Sequence, residues 1–228
     1  MKQLLTNAAL ALACGFLGAA TWSATGLADK RTEAYLMENP QLLPAMAQAY
    51  EKQAASDRLA QIGEQIYQPF PGAVLGNPDG SKVLVKFTDY NCPYCRVSSE
   101  DVDALVAQDP EVKVIIREWS IFQGSEIASV MALAAAEQGK FAAFHKAMFE
   151  LAPATPETVR EAAERAGVEL ERAQAFGQSP VVQAELRNNA LMAQQLGFTG
   201  TPSWVAGGQT FEGAVGTSAL QAAVDRES

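Results

Sequence analysis

Residues 83–95 read VLVKFTDYNCPYC, and this stretch decides the fold. Its first six residues are largely apolar and β-branched, which is typical of a strand buried in the centre of a sheet. The CPYC sequence then opens a predicted helix over residues 92–108, which stops at Asp109-Pro110. Residues 112–118 form a second apolar run. The order strand, helix, strand predicts a βαβ unit with two parallel strands.

The C-terminal half of the chain predicts a helical insert followed by a hairpin. Residues 124–197 are helix-forming throughout, and residues 203–206 and 209–212 flank Gly207-Gly208 as two short strands. Thr217 is placed to cap a last helix. The predicted fold class is therefore α/β, in the order β-α-β, helical insert, β-β-α.

A helical arm is predicted over residues 32–67, upstream of the first strand. Leu36, Leu43 and Tyr50 are spaced by seven residues, with Met46 at a matching intermediate position, as in a helix–helix seam. The repeat covers only about two heptads, and three or four are needed for a firm assignment. Two interpretations therefore stay open, an oligomerisation arm and a helix folded back on its own domain.

The first 28 residues have the three-part pattern of a secretory signal peptide. Lys2 precedes an apolar run over residues 8–20, and no acidic residue occurs before Asp29. Small residues suit cleavage after Gly18-Ala19-Ala20 or, preferably, after Gly26-Leu27-Ala28. A retained membrane anchor is the alternative, but the apolar run is shorter than the ~20 residues that span a bilayer. We expect an exported, periplasmic protein.

These patterns divide the chain into three parts. They are a signal peptide over 1–28, a helical arm and linker over 29–75, and a domain over 76–228 with its helical insert at about 120–199. The net charge of −9 argues against nucleic acid as a partner. The 228 residues are 48% hydrophobic, which excludes a disordered chain.

The CPYC sequence carries the candidate chemistry. Cys92 opens the helix and Pro93 occupies the first helical position, where its missing N–H does no harm. The positive end of the helix dipole stabilises a thiolate, so Cys92 is the predicted nucleophile. Cys95 lies one turn further on and is predicted to resolve the mixed disulfide.

A zinc site is the alternative use of this cysteine pair. A tetrahedral site needs four ligands, and a mature chain would offer only His145 besides Cys92 and Cys95. His145 is expected to be an exposed or partly packed helix residue without a catalytic role. We therefore predict no metal and no cofactor.

The chain resembles the DsbA-like periplasmic disulfide oxidoreductases of thioredoxin fold, including ScsC-type members that carry an N-terminal helical arm. Residues 83–95, the helical insert and the GTPSWV sequence at 200–205 carry the resemblance, which covers about residues 75–226. It implies a thioredoxin fold with a helical-domain insertion. It also implies a cis peptide bond before Pro202 beside the disulfide, and a backbone at Thr201 that pairs with extended substrate. Tyr94 completes the active-site motif.

Lys86 departs from the family pattern. Six residues before the nucleophilic cysteine the family usually carries a buried acid that moves protons to and from the inner thiol. A lysine directed beneath Cys95 would stabilise thiolates and favour a more oxidising pair, whereas one that reaches solvent would have no role.

The resemblance implies a thiol–disulfide oxidoreductase that acts on unfolded or misfolded exported proteins. A dithiol oxidase would need a membrane redox partner, and an isomerase or reductase would suit a homo-oligomer assembled through residues 32–67. Both remain open. A different class is a non-enzymatic secreted peptide-binding module with a static Cys92–Cys95 bridge. Thiols at an exposed helix start are reactive, which argues against that class.

Overall fold

The computed structural model describes residues 2–24 and 27–227. The helices are α1 (Lys2–Ala24), α2 (Leu27–Glu38), α3 (Leu43–Ile62), α4 (Pro93–Gln108), α5 (Glu126–Glu137), α6 (Phe141–Leu151), α7 (Pro156–Arg165), α8 (Leu170–Gly177), α9 (Pro180–Leu196) and α10 (Thr217–Val224). The strands are β1 (Val74–Gly76), β2 (Lys82–Thr88), β3 (Val112–Glu118), β4 (Ser203–Ala206) and β5 (Gln209–Glu212). Short 3-10 segments occupy Pro40–Leu42, Gly63–Tyr67 and Asp225–Glu227. The chain divides into two compact units, residues 1–51 and 52–228.

The first unit is helical. The 3-10 segment Pro40–Leu42 separates α2 from α3, because proline cannot continue a helix in its interior. The preferred cleavage site includes Gly26, which lies outside the described residues. Within the described part of the chain, no helix has both the length and the hydropathy needed to cross a membrane.

The second unit is built on a five-stranded sheet of order β1-β3-β2-β4-β5. Strands β2 and β3 are parallel, as the sequence predicts, and the other neighbours are antiparallel. Strand β1 was not predicted, because a strand of three residues is too short to show a two-residue period. The hairpin β4–β5 has the predicted bounds, and both glycines of its turn have positive φ.

The two faces of the sheet pack against different partners. Leu84 and Ile116 point to a large core shared with α4 and the helical insert. Phe87 points to a smaller core on the other face, where its ring meets Phe198 edge-on at 5.3 Å. Leu59 at the end of α3 belongs to that second core. Period-two alternation along β2 thus places residues 84, 86 and 88 on the face that α4 covers.

Arg117 is a buried anchor on the smaller-core side of β3. Its guanidinium donates hydrogen bonds to three backbone carbonyls and two side chains, which belong to Gln65, Ile66, Gln68, Glu185 and Asn189. The side chain is 2% exposed. Through the terminal nitrogen Nη2 of its guanidinium, one residue therefore fixes the segment that leads from α3 to the sheet, whereas Nε is buried without a partner among the described residues.

Capping residues define the ends of two helices in the insert. Thr155 accepts from the Thr158 backbone N–H and forms a capping box at α7, and Gly197 ends α9 with φ of 77°. The prediction that Thr217 caps α10 was wrong. Gly216 is the N-cap, because the Thr217 side chain and backbone N–H both donate to Asp101 instead.

Candidate active site

The cysteine pair lies at the junction between β2 and α4. Cys92 is the N-cap of α4 and Pro93 is its first residue. Both cysteines are unbridged thiols, with Cys92 2% and Cys95 0% exposed. The sequence predicted an exposed helix start, and this holds for Pro93 and Tyr94 but not for the Cys92 side chain. The cis-proline segment described below covers the sulfur, which sequence spacing alone cannot show.

The two thiols have opposite pKa shifts. A hydrogen bond from the Cys95 thiol, helped by the backbone N–H groups of Cys95 and Tyr94, lowers the pKa of Cys92 to about 5. Burial raises the pKa of Cys95 well above its usual range. At neutral pH the outer sulfur is therefore a thiolate and the inner sulfur keeps its proton, which is the state that a nucleophile and a resolving thiol require.

The residues of the GTPSWV sequence close the other side of the site. The Thr201-Pro202 peptide bond is cis. The Cys92 thiol donates to the Thr201 carbonyl at 3.1 Å, so Thr201 and Pro202 lie directly beside the outer sulfur. The Gly213 backbone N–H donates to the Pro202 carbonyl at 2.8 Å and ties this segment to the end of β5.

Lys86 is buried beneath the cysteine pair and does not reach solvent. Its side chain is 0% exposed, and Nζ donates to the Cys95 carbonyl at 3.4 Å. Nζ also lies over the rings of Phe149 and Trp204, 5.5 and 5.4 Å from their centroids. Burial lowers the pKa of Lys86 to about 8, and the thiols of Cys92 and Cys95 oppose that shift.

A hydrogen-bonded cluster of buried titratable groups adjoins Lys86. The Tyr90 hydroxyl donates to Glu118 Oε1 at 2.9 Å and lies 2.8 Å from His145 Nδ1. Ser129 donates to Glu118 Oε2 at 3.0 Å. Burial raises the pKa of Glu118 to about 8 and lowers that of His145 well below its usual range.

The expectation that His145 is exposed or partly packed was therefore wrong. His145 is 2% exposed, because aromatic rings surround it from Tyr90, Phe141 and Phe149. The burial of a helix residue depends on which other elements pack against it, and the local sequence does not predict that packing.

Asp89 and Asn91 hold the loop between β2 and α4 in place. Asp89 is 0% exposed and accepts from the backbone N–H groups of Ile121 and Phe122 and from the Ser125 hydroxyl. Asn91 accepts from the Ala154 backbone N–H at 2.7 Å. The helical insert is thereby fixed to the loop that presents Cys92.

Sequence reasoning missed Asp89 and Glu118, and it assigned His145 no role. A signal existed for Glu118. It is the last residue of an apolar strand parallel to β2, so it lies at the same edge of the sheet as Cys92. None existed for His145. Among the described residues, no group of three potential ligands is arranged to hold a metal ion.

A cysteine pair at the start of a helix, beside a cis-proline that precedes the neighbouring strand of a thioredoxin-like sheet, defines the class of thioredoxin-fold thiol–disulfide oxidoreductases. The chain belongs to the family described as the DSBA-like thioredoxin domain, which matches residues 83–225. The resemblance and the fold class predicted from the sequence are confirmed. No curated protein matches the chain significantly.

Several solved structures are similar to this chain. A thioredoxin-like oxidoreductase from Silicibacter pomeroyi DSS-3 is 40% identical, covers 72% of this chain and 96% of its own, and has a TM-score of 0.68. The catalytic domain of Proteus mirabilis ScsC is 26% identical over 75% of this chain and 97% of its own, with a TM-score of 0.67. A periplasmic thioredoxin-like protein from Salmonella enterica serovar Typhimurium is 26% identical over 73% and 95%, with a TM-score of 0.63.

Proposed function

We propose that this protein exchanges disulfides with unfolded or misfolded exported proteins in the periplasm. The observation that carries the proposal is the Cys92 thiol, whose pKa of about 5 makes it a thiolate at neutral pH. A thiolate of low pKa is a good leaving group, so the Cys92–Cys95 disulfide is readily donated to a substrate dithiol. The predicted signal peptide over 1–28 and the periplasmic relative from Salmonella enterica support the location.

The proposed reaction has two exchange steps. In the oxidising direction a substrate thiolate attacks the Cys92 sulfur, and Cys95 leaves and takes up a proton. A second substrate thiolate then attacks the substrate sulfur of the mixed disulfide and releases Cys92 as a thiolate. In the reverse direction Cys92 attacks a substrate disulfide and Cys95 resolves the intermediate.

The surroundings of Cys92 suit an extended polypeptide substrate. Tyr94 is 65% exposed, and the apolar side chains of Ile121 and Phe122 are exposed on the loop that Asp89 holds. The Thr201 carbonyl accepts from the Cys92 thiol, but a thiolate has no proton to donate. That carbonyl then becomes available to a substrate backbone N–H.

Lys86 is proposed to stabilise the thiolates from below. We expect Lys86→Met to raise the pKa of Cys92, and Lys86→Glu to raise it further, because a nearby cation favours the charged sulfur. The measurement is the pH dependence of thiolate absorbance in each variant. An unchanged titration in both variants would remove Lys86 from the mechanism.

The arm is proposed to assemble copies of the chain. Leu43 is 68% and Tyr50 73% exposed in the first unit, and with Leu36 and Met46 they form the seven-residue pattern seen in the sequence. Exposed apolar residues at heptad spacing are stabilised by a second copy. An assembly with several active sites suits isomerisation, whereas the low pKa of Cys92 suits oxidation.

Reactivation of scrambled ribonuclease by residues 29–228, compared with Cys92→Ser, tests the function. Reactivation that depends on Cys92 would assign isomerase activity. Exchange with glutathione without reactivation would assign dithiol oxidase activity and imply a membrane redox partner. A Cys92–Cys95 disulfide that resists dithiols and glutathione would instead identify the static, peptide-binding alternative.

A further inference from the structure

Lys86 and Glu118 are buried close to each other on one face of the sheet. The parallel register pairs Lys86 with Ile116 and Thr88 with Glu118, so the two charged residues are diagonal neighbours. Both are 0% exposed. Each is sensitive to the charge of the other, because Lys86 acts to lower the pKa of Glu118 and Glu118 acts to raise that of Lys86.

A buried ammonium group needs a compensating anion. An isolated charge in a protein interior is costly, and Lys86 forms no direct ion pair within the described ranges 2–24 and 27–227. When the cysteines are reduced, the Cys92 thiolate supplies the negative charge. When they form a disulfide, that charge disappears, and another group must replace it.

The groups that face Lys86 and Glu118 leave one candidate. Asp103 on α4 raises the pKa of Lys86 at least as strongly as Glu118 does, but Asp103 is exposed, so water balances its charge in both redox states. Asp89, in the loop after β2, accepts hydrogen bonds from loop groups on both carboxylate oxygens. Tyr90, in the loop after β2, has a raised pKa, and His145, on α6, has a lowered one, so both are uncharged at neutral pH. Helix α5 contributes the Ser129 hydroxyl and α9 the Asn189 amide. The charged Glu126 and Arg187 of these helices line the cavity beside Glu118, but both are exposed, so water screens their charge.

We propose that Glu118 is the anion that balances Lys86 in the disulfide form, and that it takes up a proton when the disulfide is reduced. The proposal rests on the proposed function, since it requires Cys92 and Cys95 to cycle between disulfide and dithiol. Glu118 contacts neither sulfur in the structure, so it is a positioning residue that acts through Lys86.

Atoms and electrons balance in this scheme. A dithiol substrate gives two electrons to the Cys92–Cys95 bond, which breaks while the substrate disulfide forms. Of the two protons that leave the substrate, one goes to the Cys95 sulfur and one to the Glu118 carboxylate. Cys92 stays a thiolate beside Lys86. Lys86, Cys92 and Glu118 together therefore have no net charge in either redox state.

Hydrogen bonds give the proton a route to the surface. Ser129 donates to Glu118, and the hydroxyls of Ser120 and Ser129 are 2.8 Å apart. Ser120 is partly exposed and lines a cavity of about 400 Å³. On the other carboxylate oxygen, Tyr90 uses its only proton for Glu118 and so accepts from His145 Nδ1–H. With both thiols unbridged, burial raises the pKa of Glu118 to about 8, as a protonated carboxyl at neutral pH requires. When protonated on Oε2, Glu118 donates to the Ser129 oxygen, and the Ser129 hydroxyl then donates to Ser120.

Proton release during reduction tests the proposal directly. Full-length protein in the disulfide form is reduced with dithiothreitol at pH 7 in weak buffer containing an indicator dye. We expect almost no net proton release from the wild type and about one proton per molecule from Glu118→Gln. Glu171→Gln, which removes an exposed acid from α8, is the matched control and should behave as the wild type.

Infrared spectroscopy keeps the proposal testable if Glu118→Gln does not fold. The reduced-minus-oxidised spectrum of the wild type should contain a protonated carboxyl band, and Ser129→Ala should shift it by removing one hydrogen bond. Release of about one proton by the wild type, or a spectrum without the band, would overturn the proposal. The proposal would also be overturned if Asp103→Asn released about one proton on reduction while Glu118→Gln behaved as the wild type.

Different results would contradict the disulfide exchange function and the role of Glu118. Wild-type protein that does not react with dithiothreitol or glutathione would contradict the proposed function itself. Normal exchange without redox-linked protonation of Glu118 would contradict only this inference.

Discussion

Two cysteines three positions apart have opposite acidities, and the difference comes from where each sulfur lies. Cys92, at the start of α4, receives hydrogen bonds from Cys95 and from backbone N–H groups, whereas Cys95 is buried one turn inside the helix. Residue spacing predicts this ordering of roles. It does not predict that the Thr201 carbonyl covers the Cys92 sulfur, because residues 92 and 201 meet only in the folded chain.

The acidity of Cys92 can be measured through its reaction with iodoacetamide. In a Cys14→Ser background, which removes the exposed third thiol, we expect the alkylation rate of the reduced protein to rise with a midpoint near pH 5. Only the thiolate reacts, so the midpoint reports the pKa. Cys92→Ser should abolish this phase, and a midpoint near the ordinary value of about 8.5 would contradict the assignment.

Glu118 should make the stability of the reduced protein depend on pH. Its folded pKa of about 8 lies above the unfolded value of about 4.3, so the folded state binds the extra proton between these values. Glu118 therefore stabilises the fold fully below pH 4, and this contribution is lost as the pH rises towards 8.

Glu118→Gln should remove this dependence. In urea unfolding under reductant, the free energy of unfolding of the wild type minus that of Glu118→Gln should fall between pH 4.5 and 8, with a slope of at most about 1.4 kcal/mol per pH unit. A difference that stays constant with pH would show that Glu118 is already ionised in the reduced protein.

At the scale of secondary structure, the sequence predicts those elements that have a local signal. The β2–α4–β3 unit and the β4–β5 hairpin follow from apolar runs and from Gly207-Gly208. Strand β1 has three residues and no such signal. Contacts such as those of Arg117 join segments that are far apart in sequence, so they could not be predicted from local pattern.

Arg117 is expected to be a major stabilising residue of the second unit. Arg117→Met leaves three backbone carbonyls, one of them buried, and the Glu185 carboxylate without their donor, and we expect a loss of about 3–5 kcal/mol in the free energy of unfolding. The exposed Arg187→Met is the control and should change it by less than about 0.5 kcal/mol. Chemical denaturation measures the free energy of unfolding of both variants. Similar losses in the two would mean that Arg117 does not hold residues 63–68 in place.

At the scale of the whole molecule, the open question is assembly. The sequence left two interpretations of the arm, an oligomerisation element and a helix folded back on its own domain, and Leu43 and Tyr50 are exposed within the first unit. The helical character of the arm could be predicted from residue type. Its partner could not, because exposed apolar side chains do not specify what covers them.

Assembly through the arm can be tested by adding charge to the apolar stripe. We expect Leu43→Glu with Tyr50→Glu to shift the protein from an oligomer to a monomer in size-exclusion chromatography with light scattering, because buried like charges oppose association. Gln48→Glu, at an exposed polar position of the same helix, should leave the mass unchanged. A wild-type protein that is monomeric at all concentrations tested would refute this role of the arm.

The central claim is that Cys92 is a nucleophile in thiol–disulfide exchange and that Cys95 resolves the intermediate. The most direct measurement is intact-mass spectrometry with peptide mapping of Cys95→Ala in oxidised glutathione, with Cys92→Ala as the control. The account predicts a lasting glutathione adduct on Cys92 in the first variant and none on Cys95 in the second. An unmodified Cys92, or an adduct that forms equally well on Cys95, would contradict it.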